Sequence, residues 1–243
     1  MSRVTLACRP SPLAAVRLRS LALRVAVVAM VAAVATLPGC AVGGILGEAF
    51  EPKIKAKHKL ASVPTLIMVE DRSLLLEDPD LTSFIASAIA ADLRRENALR
   101  GATIIKPSAV AKLRGEFDRS FETMAIDEVG QRVGASQVLY VNIRRVQLMR
   151  APGLYQPAAV AEVKVIDAVS RQRVFPPRES AEGIATGPRG VPVAAELPPD
   201  AADTGDRAYE AALRQRLSRT LASEAAKLFY AHKPRQPGDR LPG

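Results

Sequence analysis

Few side chains in this sequence can do covalent, redox or metal chemistry, and their positions narrow the choice further. The 243 residues include two cysteines, Cys8 and Cys40, and two histidines, His58 and His232. The histidines stand too far apart in sequence for a local metal motif, and a zinc site or a Ser-His-Asp set has almost nothing to use. The adjacent carboxylates Glu70 and Asp71 close a predicted strand and are the best local pair for acid–base work. Neighbours on a strand point to opposite faces, however, so this pair reads more simply as the solvated start of a loop. Cys40 stands in a different setting. It follows Leu37-Pro38-Gly39 at the end of an apolar run from Val25 that only Thr36 interrupts. Before that run come five arginines, Arg3, Arg9, Arg17, Arg19 and Arg24, and no acid. A basic segment, an apolar segment and small residues, in that order, are the parts of an export leader over residues 1–39, with cleavage between Gly39 and Cys40. As a helix this apolar run reaches only about 20 Å, short of the roughly 30 Å hydrocarbon core, so a permanent span is the weaker reading.

The run Leu37-Pro38-Gly39-Cys40 resembles the signal of bacterial lipoproteins, with Pro38 where Ala or Ser is more usual. The resemblance implies that Cys40 is diacylated on sulfur, that the leader is cut before it, and that the new amine is acylated. One acyl chain binds a membrane marginally, at about 0.8 kcal/mol per buried methylene, whereas two or three hold stably. Ala41, where an aspartate would signal retention under the enterobacterial sorting rule, favours the outer membrane. The expected location is the cell envelope, lipid-anchored and facing the periplasm. With Cys8 removed alongside the leader and Cys40 lipidated, no thiol remains for a disulfide, a metal or a nucleophile. No catalytic residue, metal or cofactor is therefore expected, and the membrane is the expected partner through Cys40.

Charge supports the same assignment. The formal net charge is +9, but the leader carries five of the 34 basic residues and none of the 25 acidic ones. Removing it leaves 29 basic against 25 acidic side chains, a net of +4. No nucleic-acid partner is expected from so small an excess in a periplasmic setting.

The predicted fold class is α/β, a mixed sheet of about four to six strands with helices packed on it and a long C-terminal helix. Residues 40–60 read as the lipidated cysteine and a short basic tether, with lysines at 53, 55, 57 and 59. Three readings stand for it: a solvated segment, attraction to anionic head groups at about 1 kcal/mol per cation, or an ordered first strand guarded by lysines. An α/β domain follows over 61–176. The continuous apolar run Thr65 to Val69 predicts a central strand covered on both faces. Asp80 then suits an N-cap for a helix reaching about Asn97, and Ala102 to Ile105 reads as a short buried strand. Ser108 and Thr123 suit the caps of two further helices, the second ending at Gly134. Gln137 to Val146 and Ala158 to Asp167 predict an antiparallel hairpin, with Val174-Phe175 as a short further strand. Residues 177–205, rich in Pro and Gly, read as a mobile loop with little regular structure. Residues 206–233 read as the C-terminal helix packed on the same domain, and 234–243 as a flexible tail.

This order of elements resembles the superfamily of the TolB amino-terminal domain, the curli-secretion lipoprotein and the penicillin-binding-protein activator lipoprotein. The residues carrying the likeness are the helix Leu81 to Leu93, Ile104-Ile105-Lys106-Pro107, and the stretch Val129 to Leu139 with its Gly134-Ala135 turn. The resemblance implies proteins that work by contact, as scaffolds, synthase activators or pore-lining subunits. Pro-rich residues 177–205 do not suit the long alternating strands of a membrane barrel, so a pore is disfavoured. The expectation is a non-enzymatic binding or scaffold module facing the periplasm, with an envelope protein partner and the oligomeric state left open. The alternatives are a carrier of an apolar ligand, with a pocket between sheet and terminal helix, and an enzyme of unknown reaction. Arg144, Arg145 and Arg150 read as a possible basic contact surface or as ordinary solubilising residues, and Tyr140 and Tyr155 as packing residues.

Overall fold

The structure is a computed structural model that describes residues 52–177, 190–201 and 206–234. The apolar run predicted as a central strand forms β1 (Thr65–Glu70), whose first five residues are buried. It lies between β2 (Ile104–Ile105) and β3 (Gln137–Ala151), parallel to both. β4 (Leu154–Asp167) pairs antiparallel with β3 along nearly its whole length. The other edge of β4 carries three short strands in succession: β5 (Gln172–Phe175), β6 (Val191–Glu196) and β7 (Asp200–Ala201). The order is therefore β2-β1-β3-β4-β5, with β6 and β7 also on β4. The mixed sheet, the helices on it and the long C-terminal helix match the predicted fold class.

Helices α1 (Asp80–Arg95) and α5 (Arg207–Ala226) pack on one face, and α2 (Pro107–Phe117), α3 (Arg119–Thr123) and α4 (Ile126–Arg132) on the other. The period-two alternation of strands sorts the core between them. Ile67, Val69, Leu139, Val141, Val163 and Val165 meet Ile85, Ile89 and Leu93 of α1 and Leu213, Leu217 and Leu221 of α5. Leu66, Met68 and Val138 meet Leu113, Phe121 and Val129 of the short helices. Each such aliphatic side chain contributes roughly 1.5–3 kcal/mol on full burial. The leucine stripe of α5 is core, as its spacing predicts.

Two glycines shape the turns into and out of β3. Gly134, at φ +76°, turns the end of α4 directly into β3, a left-handed conformation that a side chain disfavours. Gly153, at φ +77° after Pro152, gives the β3–β4 hairpin the residue order of a type II turn. Such turns fit the strand twist less well than their mirror forms, and the pairing shifts register twice near the tip, between Gln147 and Ala151.

Several boundaries differ from expectation. Asp80 is the first residue of α1, not its cap; Pro79 holds that position, and the Asp80 N–H donates to Asp78 Oδ1 at 2.9 Å. α1 stops at Arg95, short of the predicted Asn97, which itself adopts φ +51°. Ser108 lies inside α2, which starts at Pro107 because a proline's fixed φ suits the first helical position and its missing N–H is not needed there. Thr123 ends α3 and donates its hydroxyl to the Ser120 carbonyl at 3.1 Å, leaving Ala125 before α4. Asp206, not among the predicted caps, caps α5 by accepting from the N–H groups of Ala208 and Tyr209 at 2.9 and 3.2 Å.

Two corrections concern larger segments. Residues 177–205, expected to hold little regular structure, contribute β6 and β7. Val193, Ala195 and Leu197 face inward while Pro192, Ala194 and Glu196 are exposed, an alternation that β4 stabilises by pairing, with Pro192 tolerated at a sheet edge. The C-terminal helix ends at Ala226, not near 233. It tightens into a 3-10 turn at Lys227–Phe229, and His232 then pairs with Ile54 through N–H···O bonds of 2.7 and 3.1 Å. Within the predicted tether, Lys57 and His58 both donate backbone N–H to the Leu228 carbonyl, at 2.8 and 3.1 Å. The chain from Ile54 onward thus belongs to the domain, ahead of the boundary expected at 61. Lys53, Lys55, Lys57 and Lys59 stay exposed. The predicted leader, Gly39 and Cys40 lie outside the described residues, as do residues 178–189, 202–205 and 235–243.

His58 locks this junction. Its ring stacks on Phe175 with centroids 5.0 Å apart and meets the edge of Phe229 at 6.4 Å. Burial between them disfavours the imidazolium and holds its pKa below the ordinary 6.5. The unfolded chain therefore binds this proton more readily than the folded one, so the neutral ring's contribution is fully present above about pH 6.5. It is lost progressively as pH falls below that value toward the lower folded pKa. Urea unfolding at pH 7.5 and pH 5 should show a drop in stability at the acid pH that His58→Phe reduces; an identical drop in both proteins would refute the assignment to His58.

Candidate functional site

The connections leave a place where a groove can form. From the C-terminal end of β1 the chain crosses to β2 on one side, and the next crossover reaches β3 on the other. In open α/β sheets the crevice outside the strand ends at such a reversal is the usual ligand position. Here the sheet face under α2–α4 supplies the floor. The short helices cover Leu66, Met68 and Val138, and the strands continue beyond them, so a cleft of about 500 Å³ opens over Tyr140, Asn142, Glu162 and Lys164. These four form two cross-strand pairs, Tyr140 with Lys164 and Asn142 with Glu162. Arg72 and Ser73 from the β1–α1 loop, Ile126 from α4 and Gly190 ahead of β6 complete the walls.

The electrostatics follow from the pairings. Arg72 Nε lies 2.8 Å from Glu70 Oε2, and the Tyr140 hydroxyl donates to the same oxygen. Burial and that carboxylate push the Tyr140 pKa well above its usual value, so the phenol remains a donor. A register shift between Ile143 and Arg145 leaves Arg144 as an extra residue in the strand, and its Nε sits 3.6 Å from Glu162 Oε1 at the cleft. Lys164 Nζ lies 4.6 Å from the centroid of the Tyr140 ring. Burial, and then the neighbouring Arg173, lower the Lys164 pKa. A second cleft of about 490 Å³ lies on the other side of the β1 exit, lined among others by Leu74, Glu77, Asp78, Arg114 and Glu122.

The structure separates the carboxylate pair considered for acid–base work. Glu70 is held by Arg72 and Tyr140, while Asp71 accepts the backbone N–H groups of Leu75 and Leu76 at 2.9 and 2.8 Å and shapes the loop. The three arginines do not share partners. Arg144 faces Glu162, Arg145 donates to Gln147 at 3.1 Å, and Arg150 donates to Gln156 at 3.1 Å nearer the hairpin tip. Tyr140 and Tyr155 are buried packing residues on opposite faces, and the Tyr155 hydroxyl donates to Glu210 at 3.1 Å. Both histidines reach the junction between the Ile54 segment and the end of α5. Among the described residues no three His, Cys, Asp or Glu side chains converge as a metal-binding group. None of their helices is long and apolar enough to cross a membrane. The interface between sheet and α5, where a carrier of an apolar ligand needs its cavity, is occupied by Leu213, Leu217 and Leu221, at most 3% exposed. Asn142, Glu162 and Lys164 are not legible as a site in the sequence, because the pairing of β3 with β4 is what brings them together.

No protein-family model matches the chain, and no curated protein matches it. Among solved structures it is similar to the PelC dodecamer from Paraburkholderia phytofirmans, at 14% identity over 74% of this chain and 94% of that one, with a TM-score of 0.35. Lipoprotein GNA1162 from Neisseria meningitidis is similar at 12% identity over 67% and 96%, with a TM-score of 0.35. Protein CT253 from Chlamydia trachomatis is similar at 14% over 70% and 98%, with a TM-score of 0.36. Likeness at these values supports no assignment of activity, ligand or assembly.

Proposed function

We propose that this chain is a lipid-anchored protein of the cell envelope whose α/β domain faces the periplasm and works by contact, without catalysis. The observation that carries this reading is Cys40 at the end of a basic and then apolar leader, directly after Leu37-Pro38-Gly39. Ala41 favours the outer membrane. The engagement of Glu70 and Asp71 with separate structural partners supports a binding role over an acid–base one.

Cys40→Ser removes the acyl acceptor and leaves the folded domain untouched. Native protein should begin at Cys40 with added acyl mass and sediment with membranes. The variant should lack that mass and shift by about tenfold or more toward the soluble fraction or the uncleaved precursor, with the unfolding midpoint of the domain unchanged. An unmodified native chain starting at Met1, or a variant that is as membrane-bound and as fully processed as the native protein, overturns the anchor. Crosslinking in intact cells should recover a recurrent envelope protein, whereas reproducible turnover by the purified protein would replace the contact reading with an enzymatic one.

A further inference from the structure

Three cations border the cleft over Tyr140, and two of them are matched. Arg72 has Glu70 at 2.8 Å and Arg144 has Glu162 at 3.6 Å. Lys164 is half-buried, and among the described residues its ammonium makes no ion pair within 4 Å and no hydrogen bond; it sits over the Tyr140 ring, with the charges of Glu70 and Glu162 acting on it from further off. Among the described residues, three cations against two carboxylates leave one positive charge on the cleft wall, with Arg173 adding to the positive potential at Lys164. A cation–π contact with the buried Tyr140 ring accounts for part of this placement. It does not use the three N–H donors of an ammonium, which remain available to a group entering the cleft that Lys164 lines. The Tyr140 hydroxyl is engaged as a donor to Glu70, and the Lys164 ammonium lies over the ring.

We infer that this cleft binds a single oxyanion of a ligand, received by the Lys164 ammonium with the Arg144 guanidinium and the Asn142 amide beside it. Glu70 and Glu162 limit the ligand to one negative group there, because a second would lie against their carboxylates. They also offer acceptors to hydroxyl or amide donors next to that group. The volume of about 500 Å³ suits a small molecule or a short peptide segment. The oxyanion comes either from an acidic peptide side chain or from a phosphate. The inference goes beyond the anchor-and-contact reading and does not depend on it, since every residue involved lies inside the folded domain.

The test is calorimetric titration of the full chain in detergent with three probes: inorganic phosphate, an acetylated and amidated Ala-Glu-Ala peptide, and the same peptide with glutamine. Phosphate or the glutamate peptide should bind saturably at one site, and the glutamine peptide should not compete. Lys164→Met keeps the aliphatic stem over Tyr140 and should weaken binding about tenfold or more, as expected for loss of a charged hydrogen bond. Arg144→Gln, at a side chain 45% exposed, should fold normally and weaken it by about threefold, so the outcome does not rest on one variant. Tighter binding of the peptide names a polypeptide ligand, and tighter binding of phosphate names a small phosphate-bearing one; both uphold the site. No saturable binding by either probe, equal binding of the glutamine peptide, or affinities unchanged in the two variants overturns it. Membrane fractionation is read independently, so failure here and failure of the lipid anchor are told apart.

Discussion

Replacing Arg219 by leucine should destabilise the domain by about 3 kcal/mol, the lower end of the cost of removing one partner from a buried ion pair. The carboxylate left behind is Asp92 on α1, 1% exposed, which Arg219 of α5 reaches through Nη2 at 3.3 Å. Arg95 also touches Asp92 Oδ1, at 3.1 Å, but its side chain is 61% exposed. Solvent and side-chain entropy weaken such a contact, so Arg95 replaces the lost partner only in part. Asp92 Oδ2 has no hydrogen-bond partner among the described residues, which leaves the carboxylate still more dependent on Arg219. The double variant Asp92→Leu with Arg219→Leu separates charge from packing. If the cost is an unpaired buried charge, the double variant recovers most of the lost stability, because apolar replacement of a whole buried pair is often neutral or better. Urea midpoints at constant slope measure both variants. A single variant within about 0.5 kcal/mol of the native protein, or a double variant as unstable as the single, would show that the pair does not hold α1 to α5.

That pair also marks a limit on what sequence reading reaches. Asp92 and Arg219 are 127 residues apart, and each sits in an amphipathic helix whose apolar stripe is legible while its polar contacts are not. β1 is legible because five consecutive buried residues leave few other solutions, and α5 because its leucines recur at helical spacing. Gly134 is legible because a helix that turns at once into a strand needs a left-handed residue. β6 is not, although Val191, Val193, Ala195 and Leu197 alternate with period two. Pro, Gly and Ala dominate the surrounding composition, and an edge strand of six residues gains its stability from its neighbour rather than from propensity. The cleft shows the same division. The mixed face of β4 is visible in the alternation of Glu162 and Lys164, but their partners depend on the hairpin register. The bulge at Arg144 fixes that register beyond the reach of a pattern count. Helix starts were misplaced at Asp80, Ser108 and Thr123 because cap preferences are weak beside the backbone geometry set by Pro79, Pro107 and the extra helix α3.

Gly190→Ala should cost about 3 kcal/mol, the upper part of the range for overpacking, although the change adds one methyl group. A Cβ at this position would lie against the Val163 carbonyl oxygen, 2.7 Å from its carbonyl carbon and 2.8 Å from the Val163 nitrogen. All three atoms belong to the backbone of β4, which β3 holds on its other side, so the neighbour cannot yield. Gly130 makes the useful contrast: a Cβ there would meet the Val138 Cγ2 methyl at 2.5 Å and the Ala168 Cβ at 3.1 Å, side-chain atoms with some freedom to shift. At Gly190 the strain has to be relieved by the incoming chain, and that chain is the start of β6. Moving it disturbs the pairing of Val191 to Glu196 with β4 and withdraws Val193, Ala195 and Leu197 from their buried positions. Hydrogen exchange should therefore report lost protection across Val191–Glu196 and the facing residues Ala158 to Val163, while β1 and β3 keep theirs. Gly190 also walls the oxyanion cleft, so the same substitution should weaken binding of the phosphate or glutamate probe without touching Lys164. Unchanged protection in β6 with an unchanged urea midpoint would mean that the chain ahead of β6 is free to move aside, and that the close approach of Gly190 to β4 does not secure this edge of the sheet.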